Sequence, residues 1–146
     1  MTIRLNPYLG FRREAREAME HYRSILGGEL TTSTFAEFGV SDDPADADLL
    51  MHSMLTTPEG LVLMAADTPA AMEWTQGSGD FSVSLSGDAD DEARLRGVFD
   101  ALATDGQVLE PLVQAPWGDA FGMVKDRFGI TWLVNVAGSG AGPAEG

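Results

Sequence analysis

The feature that most constrains this chain is an internal repeat, in which one order of predicted elements occurs twice. Gly28 follows the first predicted helix as a helix stop, and Gly106 follows the second in the same way. The hairpin turns that follow them contain Gly60 and Gly129. A repeat of this size makes each copy one supersecondary unit that cannot bury all of its hydrophobic surface alone. Helices are expected to cover one face of each sheet, and the other face is expected to meet a partner or hold a ligand.

Each copy contains a strand, a helix and three further strands, so the predicted fold class is α+β with two tandem βαβββ modules. The modules cover about residues 3–67 and 80–136 of a single domain. Helices are assigned from apolar residues that recur every three or four positions, and strands from runs rich in β-branched and aromatic residues. The predicted elements are strand 3–11, helix 13–26, strands 29–38, 49–57, 61–66 and 81–86, helix 88–104, and strands 107–113, 119–125 and 130–136. The small-residue tail, 137–146, is predicted to be disordered.

Charge and composition exclude several classes of partner. The chain has 9 Lys and Arg residues against 23 Asp and Glu residues, which gives a formal net charge of −14. A field of that sign repels phosphate backbones, so no nucleic-acid partner is expected, and the acidic loop 38–48 is expected to be solvated. No stretch of about 18 apolar residues occurs, so no membrane partner is expected. The absence of cysteine excludes disulfides and thiolate metal sites, and with no signal-peptide pattern it leads us to expect a cytoplasmic protein.

Several runs of residues resemble one superfamily. They are Asn6-Pro7-Tyr8-Leu9-Gly10-Phe11, Leu26-Gly27-Gly28-Glu29-Leu30, Met64-Ala65-Ala66-Asp67, Trp117-Gly118-Asp119-Ala120-Phe121-Gly122 and Lys125-Asp126-Arg127-Phe128-Gly129-Ile130-Thr131-Trp132. Together they are similar to the vicinal oxygen chelate superfamily of glyoxalases, bleomycin-resistance proteins and dioxygenases. More narrowly, they resemble its PhnB-like branch, which is also called 3-demethylubiquinone methyltransferase-like. The resemblance implies paired βαβββ modules that curve into a cup, and a homodimer. It does not imply one reaction, because function resides in sites rather than in folds.

Enzymes of this superfamily hold a divalent metal with side chains from the first and last strand of each module. The matching positions in this chain, within one residue, are Asn6 or Tyr8, Leu63 or Met64, Ser82 or Ser84, and Leu133. Divalent metals of this kind prefer imidazole and carboxylate ligands, and none of these residues supplies either. We therefore expect no metal site and no cofactor. This expectation disfavours isomerase and dioxygenase chemistry that depends on a Lewis acid.

His52 is the candidate catalytic residue. It lies on the predicted strand 49–57, where strict alternation would place it on one face with Leu50 and Met54. An imidazole exchanges protons near neutral pH, so His52 could act as a general base in the cup. The alternatives are a histidine held by a structural hydrogen bond and a metal ligand.

Aromatic and polar side chains complete the candidate ligand site. Aromatic rings on a concave sheet can stack on a flat ligand, and core packing is the alternative use of such rings. Polar groups in otherwise apolar strands need a partner, which a ligand can supply. The predicted ligand-binding residues are Tyr8, His52, Ser84, Trp117, Phe121, Trp132 and Asn135.

Three hypotheses about function follow. The leading one is a PhnB-like protein that binds a small, aromatic or amphipathic organic molecule in the sheet cup without a catalytic metal. The second is a metal-dependent lyase, isomerase or dioxygenase of the glyoxalase superfamily that uses His52. The third is a drug-sequestration protein similar to bleomycin-resistance proteins, in which affinity alone provides the function.

Overall fold

The structure, a computed structural model, describes residues 3–39, 43–75 and 81–138. The chain divides into two units, Met1–Gln76 and Gly77–Gly146, and each unit has its own four-stranded sheet. The first unit contains β1 Tyr8–Phe11, α1 Ala15–Leu26, β2 Glu29–Thr34, α2 Phe35–Phe38, a 3-10 turn Pro44–Asp46, β3 Leu50–Thr56 and β4 Val62–Asp67. The second contains β5 Val83–Gly87, a 3-10 turn Ala89–Asp91, α3 Glu92–Ala103, β6 Gln107–Gln114, β7 Ala120–Lys125 and β8 Thr131–Val136.

The two sheets have the same topology. Their strand orders are β1-β4-β3-β2 and β5-β8-β7-β6. The first strand of each unit pairs in parallel with the last, and the other pairs are antiparallel. The prediction of an α+β fold built from two tandem βαβββ modules is therefore confirmed.

In the first unit, α1 covers one face of the sheet. Its buried side chains lie on a single stripe, because they recur at helical spacing; they are Ala15, Ala18, Met19, Tyr22 and Leu26. Burial alternates along β4, where Leu63, Ala65 and Asp67 are buried and the residues between them are half-buried. The face opposite α1 is called the open face of the first sheet. It carries Tyr8, His52, Met54 and Met64, according to the pairing register and the burial pattern.

In the second unit, α3 covers the corresponding face. Its buried side chains are Leu95, Val98, Phe99 and Leu102. The helix approaches the sheet closely at Gly122, where a Cβ atom would lie 2.8 Å from the Phe99 ring and from the Leu112 backbone. The face opposite α3 is called the open face of the second sheet, and it carries Ser84, Phe121, Met123, Leu133 and Asn135.

Two predicted elements start later than expected. The first helix begins at Ala15 rather than residue 13, because the Asp67 carboxylate accepts the Ala15 N–H at 2.8 Å and fixes the helix N-terminus. The second predicted helix, α3, begins at Glu92 rather than residue 88, because Asp88 and Asp91 form a capping box around a 3-10 turn. Side chains that satisfy the free N–H groups of a first turn determine where a helix starts.

The predicted strand 29–38 ends at Thr34, where the chain turns into the short helix α2. The Thr34 hydroxyl accepts the Glu37 N–H at 3.2 Å, and Gly39 ends the helix in the left-handed conformation with φ of 61°. Local hydrogen bonds of this kind compete with strand pairing. The predicted first strand likewise shortens to β1: the pairing with β4 begins where the Pro7 carbonyl accepts the Met64 N–H at 3.1 Å, and residues 3–6 lie outside it.

The acidic loop is more ordered than its composition indicates. Asp46 is 2% exposed, accepts the Ala70 N–H at 3.4 Å and lies 3.8 Å from the Arg13 guanidinium. The expectation of a wholly solvated loop is therefore wrong for Asp46, and residues 40–42 lie outside the described residues.

The chain continues its pairing beyond β8. The Ala137 N–H donates to the Gly87 carbonyl at 2.8 Å, and the Gly138 N–H donates to the Asp119 carboxylate at 2.9 Å. The rest of the predicted tail, 139–146, lies outside the described residues.

None of the helices within the described ranges is long and apolar enough to cross a membrane.

Candidate functional site

The first sheet brings Tyr8 and His52 together on its open face. Tyr8 lies on β1 and His52 on β3, with β4 between them. The Tyr8 Oη atom is 3.3 Å from His52 Nδ1, and the two ring centroids are 5.8 Å apart. Tyr8 is 53% exposed and His52 is half-buried, so one edge of the pair remains accessible.

The hydrogen bond leaves His52 Nε2 as the atom available to a ligand. A neutral imidazole has one donor and one acceptor nitrogen. If the Tyr8 hydroxyl donates to Nδ1, then Nε2 carries the proton and donates to the ligand. If Nδ1 donates to the Tyr8 oxygen, then Nε2 is an acceptor and a base. Because the Tyr8 hydroxyl can donate or accept, His52 Nε2 can be either a donor or an acceptor toward a ligand.

His52 does not share a face with Leu50, contrary to the prediction from strict alternation. Ser33 pairs with His52 but Thr34 pairs with Leu50, so the register of β3 shifts by one residue at this point. Such a bulge moves the following side chain to the other face. Leu50 is fully buried and its N–H donates to Asp67, whereas Met54 stays on the open face with His52 as predicted.

Apolar side chains share the open face with the Tyr8–His52 pair. Tyr8, Met64 and Met54 are direct cross-strand partners and form one rung of the open face. Methionine side chains are flexible and polarizable, so they adapt to ligands of different shape. The next rung on this face includes Gly10, and the Trp74 indole N–H donates to the Gly10 carbonyl at 3.2 Å.

Trp74 was not recognised from the sequence. It lies in the connector after β4, where no periodicity assigns a role to an aromatic residue. The one available signal was Gly10, because a glycine within a strand often marks the close approach of another group. A Cβ atom at Gly10 would lie 4.0 Å from the indole nitrogen.

The open face of the second sheet repeats this arrangement with different chemistry. Its corresponding rung is Ser84, Leu133 and Met123. The next rung is Ser86, Asn135 and Phe121. Ser84 therefore occupies the place of Tyr8, and Phe121 occupies the place of His52. The Asn135 amide donates to the buried Asp119 carboxylate at 3.3 Å, which fixes the orientation of that amide.

Two predicted ligand-binding residues lie off the open faces. Trp117 is 64% exposed on the loop between β6 and β7. Trp132 is 1% exposed on the face of the second sheet that α3 covers, and its indole N–H donates to Asp126 at 2.8 Å. The structure therefore brings together Tyr8 and His52 in the first unit, and Ser84, Phe121 and Asn135 on one face in the second.

The side chains present do not match a divalent metal site. Among the positions to which the resemblance points, the register places Tyr8 with Met64 and Ser84 with Leu133 on the open faces. These pairs offer a phenol, a thioether, a hydroxyl and a hydrocarbon, whereas divalent metals of this class prefer imidazole and carboxylate. Within residues 3–39, 43–75 and 81–138, no three His, Asp or Glu side chains are close enough together to hold a metal.

A family model described as 3-demethylubiquinone-9 3-methyltransferase matches residues 4–135. The chain belongs to this family. The curated protein YjdN of Escherichia coli K12 is similar to this chain, with 27% identity over 143 residues that cover 90% of the chain and 94% of YjdN. The resemblance to PhnB-like proteins is therefore confirmed.

Solved structures are similar to this chain in fold. The chain is similar to protein PA1353 of Pseudomonas aeruginosa, with 37% identity, a TM-score of 0.77 and coverage of 94% of this chain and all of that one. A Bacillus cereus PhnB protein, described as a putative 3-demethylubiquinone-9 3-methyltransferase, is 23% identical with a TM-score of 0.67 and coverages of 92% and 100%. A glyoxalase/bleomycin resistance protein/dioxygenase domain of Frankia is 14% identical with a TM-score of 0.60 and coverages of 96% each. The last two matches show a shared fold.

Proposed function

We propose that this PhnB-like protein binds a small organic molecule on an open sheet face and does so without a catalytic metal. The main observation in support is the hydrogen-bonded Tyr8–His52 pair. This polar pair has an exposed edge and lies among half-buried methionines. A site of this composition, mostly apolar with a few placed polar groups, is typical of small-molecule binding.

The residues around the pair favour a flat or amphipathic ligand. The Trp74 indole and the Tyr8 ring supply aromatic surface, and the Met54 and Met64 side chains supply adaptable apolar surface. The open face of the second sheet, taken by itself, carries a different set of groups: the Phe121 ring, the Asn135 amide and the Ser84 hydroxyl. Aromatic stacking contributes the larger share of the affinity, and the polar groups orient the ligand.

The donor set supports the metal-free part of the proposal. Elemental analysis of the purified protein tests it, because a divalent metal that binds through protein side chains co-purifies in stoichiometric amount. We expect less than stoichiometric Zn, Ni, Mn and Fe. A ratio near one metal per chain, retained after dialysis against a weak chelator, contradicts this part.

We also propose that the protein forms a homodimer. Large apolar side chains are solvent-exposed in the single chain, including Ile3 at 98%, Leu5 at 100% and Phe81 at 78%. A symmetric partner could cover such side chains and the edges of the sheets. Light scattering at micromolar concentration should give twice the mass of the chain, and a monomer mass contradicts the proposal.

The binding site is tested with N-phenylnaphthylamine, an uncharged aromatic probe whose fluorescence rises in an apolar site. We expect the wild-type protein to bind it, and the His52→Ala variant to bind it less tightly, because the variant loses one wall of the site. His21→Gln is the matched control, since His21 lies on α1 and not on a sheet. Unchanged affinity in His52→Ala would mean that His52 has a structural role only.

A further inference from the structure

The chain contains a single lysine, Lys125, and the fold places it on the open face of the second sheet. Lys125 ends β7, two residues after Met123 and four after Phe121, so all three side chains point to the same side. It is half-buried. In a chain with a net charge of −14, a cation in this position is unusual.

No ion pair neutralises Lys125 within the part of the chain that the structure describes. The neighbouring carboxylate in sequence, Asp126, is buried and accepts N–H groups from Phe128, Ile130 and Trp132. Glu110 pairs with Met123 on the adjacent rung and is exposed, but it forms no ion pair with Lys125. Lysine can pack its hydrocarbon stem against apolar surface while its charged end reaches water, so the Lys125 ammonium on this face can meet an anionic ligand.

The side chains beside Lys125 add polar groups and no negative charge. Its direct cross-strand partners are Gln107 on β6 and Thr131 on β8. Side chains that are directly opposite in an antiparallel pair have Cβ atoms roughly 5 Å apart, so Gln107 and Thr131 flank Lys125 on its two sides. Each of the three side chains can donate a hydrogen bond to an anionic ligand.

The first sheet provides an internal comparison. Its corresponding rung is Glu29, Thr56 and Val62, which has a carboxylate and no cation. The repeat has therefore diverged at this position, and of these two rungs the one with a cation belongs to the second sheet.

We propose that Lys125, together with Gln107 and Thr131, forms an anion-binding subsite that selects ligands with a carboxylate, sulfonate or phosphate group on an aromatic or apolar body. Rungs are about 7 Å apart along a strand, so the body of such a ligand extends from this subsite over Met123 and Leu133 toward Phe121. This inference rests on the proposed function, since it defines which small molecules the open face accepts.

The test compares two probes with the same rings, anilinonaphthalene sulfonate and the uncharged N-phenylnaphthylamine. We expect Lys125→Gln to weaken sulfonate binding by roughly tenfold or more, because it removes a hydrogen bond to a charged group. The affinity for the uncharged probe should not change. Arg23→Gln is the matched control: it removes one positive charge from an exposed helix residue and should alter neither affinity.

The outcomes separate the two proposals. If both probes bind and Lys125→Gln weakens neither more than Arg23→Gln does, the anion subsite is refuted and the proposed function stands. If the wild-type protein binds neither probe, both proposals are refuted.

A second measurement does not require a substitution. Reductive methylation with isotope-labelled formaldehyde keeps the positive charge and labels Lys125 as the one lysine of the chain, besides the terminal amine. We expect its NMR signal to shift on addition of the sulfonate probe and not on addition of the uncharged probe. A signal that responds to neither probe overturns the subsite.

Discussion

Asp126 should be the most sensitive polar residue of the second unit, because one buried carboxylate satisfies three N–H groups. It is 3% exposed and accepts the Phe128 N–H at 2.8 Å, the Ile130 N–H at 3.0 Å and the Trp132 indole N–H at 2.8 Å. The first two bonds shape the turn between β7 and β8, and the third fixes the largest fully buried side chain. The Asp-x-Phe-Gly-x-x-Trp motif is therefore explained as a turn that holds a core tryptophan.

The magnitude follows from the number of buried donors that lose their acceptor. Each unsatisfied buried donor costs about 1–3 kcal/mol, and one of the three bonds is only part-buried. Asp126→Ala should therefore lower the free energy of unfolding by about 3–5 kcal/mol. Asp126→Asn keeps the oxygen that accepts the two backbone N–H groups of the turn, but it places an amide N–H against the indole N–H. It should therefore lower the free energy of unfolding by about 1–3 kcal/mol.

The assay is urea denaturation followed by circular dichroism and by tryptophan fluorescence. Asp126→Asn is combined with Trp132→Phe in a double-mutant cycle, since the phenylalanine removes the donor that faces the new amide. We expect a coupling energy of about 1 kcal/mol or more. Asp100→Asn on the exposed side of α3 is the control and should change stability by less than about 0.5 kcal/mol. Additive effects in the cycle, or a loss below about 1 kcal/mol for Asp126→Ala, would refute the reasoning.

Two further predictions concern glycines, and melting temperatures measure both. Gly28→Ala should prevent folding or lower stability by more than about 3 kcal/mol, because a Cβ atom would lie 2.0 Å from the Thr56 carbonyl oxygen at φ of 105°. Gly39→Ala also has a positive φ but no atom within 4 Å, so it should cost only about 1 kcal/mol, and equal losses in the two variants would contradict the argument. Gly97→Ala in the middle of α3 meets nothing within 4 Å and should raise stability by about 0.5–1 kcal/mol; a lower melting temperature would contradict this.

Much of the fold could be predicted because its determinants are local. The apolar stripes of α1 and α3 and the glycines at 28, 60, 106 and 129 are visible in the sequence, and they gave the order of elements and the repeat. The predicted boundaries of elements were wrong where a side-chain hydrogen bond overrides the periodic pattern of apolar residues. Thr34 caps a helix inside a predicted strand, and Asp67 fixes the start of α1 from a distance of 52 residues in sequence.

The candidate site was predictable only in part. The motif residues and His52 were found because they are chemically distinctive. Trp132 matched the family pattern equally well, yet the structure buries it on the helix side, since a pattern of residue types does not specify the face of a sheet. His52 and Leu50 are two residues apart and were assigned to one face, but a bulge separates them.

The sequence by itself determined the duplicated βαβββ order, the acidic character and the family, because these depend on residue identity and on spacing along the chain. The tertiary structure decided which side chains meet. It paired Tyr8 with His52 across an intervening strand, placed the Trp74 indole against Gly10 and left Lys125 without a counter-charge in the described chain. The physical reason is that strand register and bulges, which arise from pairing between distant segments, determine the face on which each side chain lies.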